Sequence, residues 1–161
     1  MSKTVAVILD DEHWFWAYDV SLAVLSVELM RLLDLGTSPA GLGLDDLRSR
    51  LLSPVLVPGT LGLDLVDLAD PQRERLVALS TEAGQLLRAR PSIAAAEAVA
   101  SAARYVPDVG PDLLRGATFV EPGPVAVLAD AVVALVRGKL PPLPPGTTAW
   151  LYGWHDGPMA L

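Results

Sequence analysis

Residues 4–9 read Thr-Val-Ala-Val-Ile-Leu, and the acids Asp10, Asp11 and Glu12 close the run. A short apolar run rich in Val and Ile and stopped by charge predicts a buried strand. Branched side chains lose rotamers in a helix and pack well on a pleated surface. The run is too short, and its flank too acidic, for the core of a signal peptide. A counterpart lies at the other end of the chain. Residues 147–154 read Thr-Thr-Ala-Trp-Leu-Tyr-Gly-Trp, an alternation that predicts a second strand with Trp150, Tyr152 and Trp154 on one face. A lone two-stranded ribbon is marginal in water. The terminal strands are therefore expected to pair with each other and to lie on whatever fills the middle of the chain. Their relative direction stays open. Antiparallel pairs are commoner, but a crossover through the whole middle of the chain removes the length objection to a parallel pair.

The middle reads as helices. Residues 20–35 are apolar almost all round and stop before Gly36, which predicts a central helix, starting at Val20 or a few residues earlier behind Asp19. Leu44–Leu52 carries Asp45 and Asp46 in its first turn and Arg48 and Arg50 toward its end, in accord with the helix dipole. Pro54 and Pro58 break the next segment. Asp70-Pro71 supplies an N-cap and a first helical position, for a helix running to about Arg90 and stopping before Pro91. Ser92 can cap a helix over Ile93–Tyr105. Residues 106–123 read as loop, with a turn at Asp112–Arg115. Pro124–Arg137 is a helix with Gly138 as its stop. Leu140–Gly146, Leu-Pro-Pro-Leu-Pro-Pro-Gly, is a stiff extended connector. With Lys139 in front it also fits the basic residue plus Pro-x-x-Pro of proline-rich peptide ligands, although a rigid tether is the simpler reading. The expected fold is α+β and mostly α, a single domain over residues 1–161. It has four or five helices packed with a small two-stranded sheet formed by the N- and C-terminal strands. An all-α bundle is the alternative.

Composition removes several function classes. The chain has 161 residues, 52% of them hydrophobic and 19% charged. It is long enough for a full core and too apolar for disorder. It has no cysteine, which excludes disulfides, thiolate metal sites and cysteine nucleophiles. A net charge of −7 argues against nucleic acid as a partner. No run of 18 uncharged apolar residues predicts a membrane span, so a cytoplasmic location is expected. The preference for Arg over Lys, and for Leu and Val over Ile, suggests a GC-rich bacterial coding bias. Phosphate-loop, dinucleotide, zincin and nucleophile-elbow motifs are absent.

The informative feature is where the aromatic residues lie. Seven of nine fall in two windows: Trp14, Phe15, Trp16 and Tyr18, then Trp150, Tyr152 and Trp154. Both histidines, His13 and His155, adjoin these windows, as do Asp10, Asp11, Glu12 and Asp156. Pairing of the terminal strands would bring these groups to one patch. Rings beside a few titratable groups describe a small-molecule pocket, and a histidine near carboxylates is a usual acid–base unit. The competing structural explanation is that Trp and Tyr simply fill a strand-rich core. No metal is expected, because the carboxylate spacing around His13 and His155 suits co-ligation poorly. Glu28 is expected to pair with Arg31, and Glu97 to sit at a solvated helix edge. The three Arg-x-Arg pairs, at 48/50, 73/75 and 88/90, do not face one way on a helix and are expected to be solvated.

Two functions emerge as expectations. In the first, Trp14, Trp16, Tyr18, Trp150, Tyr152 and Trp154 line a pocket for a small, largely apolar organic molecule. This is the kind of site a cofactor-independent cyclase or isomerase of secondary metabolism uses, with rings that stabilise positive charge. His13 or His155 would move a proton there, helped by Asp10, Asp11, Glu12 or Asp156, and no cofactor is required. In the second, the chain is an acidic helical interaction protein, such as an adaptor, inhibitor or immunity-type partner, without chemistry. Its apolar helix 124–136 would then serve as an interface, including one between two copies.

Overall fold

The computed structural model describes residues 3–36 and 43–161. The first strand, β1 (Thr4–Ile8), forms as expected and turns back at once into β2 (Trp14–Tyr18), to which it pairs antiparallel. The sequence reading assigns no strand to Trp14–Tyr18. Both faces of that run carry apolar rings, so no polar–apolar alternation marks it. In the structure its period of two is plain, with Phe15 and Ala17 buried and Trp14, Trp16 and Tyr18 half-buried. The Asp10 carboxylate closes the hairpin by accepting the backbone N–H groups of Glu12 (2.9 Å) and His13 (2.8 Å).

The α+β, mostly α architecture is the one the sequence predicts, and the chain-end strands do share a sheet. That sheet is wider than two strands. Its order is β3 (Leu63–Asp64), β1, β2, β6 (Trp150–Tyr152) and β7 (Met159–Ala160). The C-terminal partner joins the second strand of the hairpin, and β6 runs parallel to β2 with Trp16 opposite Leu151 and Ala17 opposite Tyr152. β6 is shorter than the predicted run because Gly153 adopts φ +86° and turns the chain out of the sheet. Trp154 therefore leaves the face that Trp150 and Tyr152 share. A separate ribbon pairs β4 (Ile93–Ala94) with β5 (Phe119–Val120).

Among the described residues, five helices follow the hairpin: α1 (Asp19–Leu35), α2 (Leu44–Leu56), α3 (Asp70–Arg88), α4 (Ala95–Ala103) and α5 (Pro122–Val136). β2 passes into α1 without a loop. α2 continues through Pro54 to Leu56. Proline in a final turn removes one hydrogen bond only, and Pro54 and Val55 are buried there. α3 places Pro71 in its first turn as predicted, but Ala69, not Asp70, is the capping residue. The Gln72 side chain secures that end. Its Oε1 accepts the Ala69 N–H (3.0 Å), and its Nε2 donates to the Gly43 carbonyl (2.7 Å). α4 starts later than predicted because Ile93 and Ala94 pair with β5 instead. The short 3₁₀ turn Pro111–Leu114 lies near the predicted turn.

The core sits between α1, α3, α5 and one face of the sheet. Leu22, Leu25 and Leu29 of α1 are fully buried, and Val5, Val7, Phe15, Ala17 and Tyr152 meet them from the sheet. Gly84 of α3 lies against the Ala126 carbonyl of α5, an approach that a small residue permits. Within 124–136 only Asp130 is exposed, so this helix commits its apolar surface inside the chain. Among the described residues, no helix is long and apolar enough to cross a membrane.

Candidate functional site

The structure distributes the sequence-selected residues over four places. The first is the tip of the β1–β2 hairpin. There His13 Nδ1 lies 2.8 and 2.9 Å from the two Asp10 carboxylate oxygens, with both side chains about half exposed. The Glu12 N–H, with further help from the His13 ring and N–H, holds the Asp10 carboxyl below its ordinary value. These contacts shape the turn, and Asp11 and Glu12 point to solvent. His155 is elsewhere. It follows β6 at the far end of the sheet, and the five residues of β2 between the two ends span about 16 Å. The fold does not bring the two histidines together.

The second place is the core. Phe15 and Tyr152 meet edge to face at 4.9 Å, and Trp150 lies 6.2 Å from Tyr152. The Trp150 indole donates to the Pro141 carbonyl (2.9 Å). Burial pushes the Tyr152 phenol above its ordinary value. These rings fill volume next to α1 and α5.

The third place is the outer face of the sheet. Trp14 and Trp16 project there with Thr4, Ala6 and Ile8, since paired residues share a face. Their rings pack nearly perpendicular at 5.4 Å. Beside Trp16, a shallow groove of about 600 Å³ runs between β1 and residues 59–64.

The fourth place is a cleft of about 310 Å³ lined by Tyr18, Val20, Ser21, Phe119, Glu121 and Trp154, among others. Its construction comes from topology. β2 and β6 are parallel, so their C-terminal ends fall side by side. Gly153 then turns Trp154 over Tyr18, with the rings 4.9 Å apart. A side chain at 153 is disfavoured by the positive φ and by crowding: its Cβ would sit 3.0 Å from the Ser21 Cβ and 3.3 Å from Leu128 Cδ2. The β4–β5 ribbon presents Phe119, which is 53% exposed. Sequence reasoning missed this ring. Phe119 lies in a segment read as loop, and a two-residue strand carries no period to detect.

Between the lining residues Tyr18 and Val20, Asp19 is 4% exposed. It accepts the Arg115 guanidinium at 2.8 Å (Nε) and 2.7 Å (Nη2), and the Val20 N–H at 2.9 Å. Burial, followed by the Asp19 charge, pushes the Tyr18 phenol above its ordinary value. Tyr18 therefore stays a neutral hydrogen-bond donor at neutral pH. Ser21 Oγ donates to the Gly153 carbonyl (2.5 Å), which leaves it without a base to activate it. Lys3 Nζ lies 5.7 Å from the Trp154 ring centroid, and the His155 ring lies 6.3 Å from the same indole. Asp156 approaches Gly123 at the start of α5.

Several of the other charged groups pair with one another. Arg31 holds Glu28 with two hydrogen bonds, 2.9 and 2.6 Å, as the spacing predicts. Arg90 holds Glu97 at 2.6 Å, and Arg88 pairs with Asp130. Arg48 pairs with Asp34 and Arg50 with Asp46, so neighbouring arginines reach different partners. A small, partly open pocket of about 40 Å³ lies between Glu28 and Glu97. Among the described residues, no three His, Cys, Asp or Glu side chains assemble into a metal site. No protein-family model, curated protein or solved structure matches the chain.

Proposed function

We propose that the protein binds a small, largely apolar organic molecule in the cleft of Tyr18, Phe119 and Trp154. The observation that carries this reading is the convergence of three rings, from three separate elements, on one open cleft with few polar groups. Binding pockets have this composition, and about 310 Å³ lies at the small end of their range. The ring faces attract positive charge, and the Lys3 ammonium beside Trp154 is a local instance. A cofactor-independent cyclisation or isomerisation fits such a wall. Of the two histidines, His155 is the one beside a cleft residue, its ring 6.3 Å from that of Trp154, so it takes the proton-carrying role, with the Tyr18 phenol as a donor. His13 has no part in this version.

The test is native mass spectrometry of the purified protein before and after denaturation, repeated for Phe119→Ala and Trp154→Ala. The expected result is an added mass of a few hundred daltons that vanishes on denaturation. Each variant should weaken retention roughly tenfold, the worth of a lost ring contact. A bare protein that also fails to quench Trp154 fluorescence across a panel of apolar ligands overturns the reading.

The outer sheet face favours a second reading, an interaction protein. Trp14 and Trp16 project half-buried from the outer face of the sheet. A partner protein carried into the same native spectrum, insensitive to Phe119→Ala, would favour it over the first.

A further inference from the structure

We propose that residues 139–145 are a docking ligand for a proline-recognition domain of the SH3 type, one whose groove is lined by Trp and Tyr and closed at one end by carboxylates. The segment reads Lys139-Leu140-Pro141-Pro142-Leu143-Pro144-Pro145. Proline fixes its own φ, and a residue before proline is confined to the extended region. Leu140, Pro141, Leu143 and Pro144 all precede a proline, which favours a polyproline II helix, with three residues per turn, up to the turn at Pro145–Gly146. Residues three apart share an edge of such a helix. Lys139, Pro142 and Pro145 form one edge, and all three are exposed. The sequence alone favours a tether, because it cannot say which edges face water.

The structure settles which edges are engaged by the chain itself. The carbonyls of Pro141 and Pro144, also three apart, both accept hydrogen bonds from the chain. The first accepts the Trp150 indole N–H (2.9 Å), and the second accepts the Thr147 hydroxyl (2.7 Å) and N–H (3.2 Å). Leu140 packs against the core, while Leu143 is 40% exposed. All four proline rings remain at the surface. Both ends are pinned. Gly138 (φ +65°) ends α5 while the Lys139 N–H returns to the Ala134 carbonyl (2.7 Å), and Pro144–Thr147 forms a turn around Gly146 (φ +82°). A ligand fixed at both ends loses little conformational freedom on binding. Lys139 forms no ion pair among the described residues, which leaves its ammonium free for a partner's carboxylates. Aromatic grooves take the proline rings of such a helix, and a rim charge sets orientation and on-rate.

The experiment titrates an isotope-labelled SH3 domain, of the class that prefers a basic residue ahead of its prolines, with the intact protein. A synthetic peptide of residues 137–147 and the double variant Pro142→Ala/Pro145→Ala serve as comparisons. The intact protein should produce saturable shifts confined to the groove resonances. The double variant should abolish them while the chain stays folded, since neither altered residue supplies an anchored carbonyl and the loss of two prolines lowers the melting point only modestly. Lys139→Glu should weaken binding roughly tenfold. If the peptide binds and the intact protein does not, the prolines are sealed against the body and the proposal fails. It fails equally if neither binds, or if the double variant binds like the parent. None of these outcomes depends on the cleft.

Discussion

At the scale of single residues, Asp19 has the most to do. Its carboxylate is buried, ends β2's transition into α1, and ties α1 to Arg115 in the segment before β5. Removing one partner of a buried pair leaves the other charge uncompensated, which costs about 3–5 kcal/mol where both are fully buried. Arg115 is 21% exposed at its side chain, so water can partly replace the lost carboxylate and the cost should fall near 2 kcal/mol. Asp19→Ala should therefore lower the midpoint of chemical denaturation by about that equivalent. A change below about 0.5 kcal/mol would mean that the pair is no more than a surface contact. Nothing in the sequence distinguishes Asp19 from the other acids. Its burial arises because a strand runs straight into a helix there, and no pattern of residue types encodes that.

Elements differ in how plainly the sequence announces them. The apolar period over 20–35 and the Asp-Pro start at 70–71 each place a helix within a few residues of its ends. β1 announces itself as a Val/Ile run between charges. β2 does not, because a strand with rings on both faces has no alternation to read. The two-residue strands β3, β4, β5 and β7 are too short to show a period, although Leu63, Ile93 and Val120 anchor three of them in the core. The pairing of β3 is close. The Gly62 backbone approaches Ala6 so closely that a Cβ at 62 would collide with the Ala6 carbonyl. Gly62→Ala must push β3 away from β1, at a cost of about 2 kcal/mol, in the range of mutations that strain a packed backbone. Gly110 is the control. A Cβ there meets nothing within 4 Å and its φ is −103°, so Gly110→Ala should be neutral or raise stability by up to about 1 kcal/mol through the unfolded chain. Equal melting temperatures for the two variants would contradict this account of the β1–β3 contact.

Over the whole molecule, the three tyrosines share a property that none of their sequence neighbourhoods predicts. Burial pushes all three phenols up from the ordinary value of 10.0, with the charge of Asp19 adding to Tyr18 and that of Asp34 to Tyr105. The folded chain therefore holds its phenolic protons at a pH where the unfolded chain releases them. Linkage fixes the sign: this stability is fully present below about pH 10 and is lost as pH rises through the folded values. The melting temperature should fall as pH climbs past 10, and tyrosinate absorbance should lag behind that of the unfolded chain. Coincident titration curves would refute it. The clustering of rings at the chain ends was legible from composition along the sequence, and it led to Tyr18 and Trp154. The separation of the two histidines, the loss of Tyr152 and Trp150 to the core, and the arrival of Phe119 all depend on strand order. Strand order is set by long-range pairing, which local patterns do not carry.

The pairing of Trp16 with Leu151 also has a consequence for how the chain is made. A ribosome delivers residues in order, and domains begin to fold as they emerge. The hairpin of β1 and β2 can close as soon as both strands have emerged, yet one edge of β2 has no partner until all five helices have followed it out. For that interval a strand reading Trp-Phe-Trp-Ala-Tyr presents an open edge of hydrogen-bonding groups to its surroundings. A nascent chain of this design depends on dilution, on chaperones or on rapid collapse of α1 over Phe15 to reach the state in which β6 closes that edge.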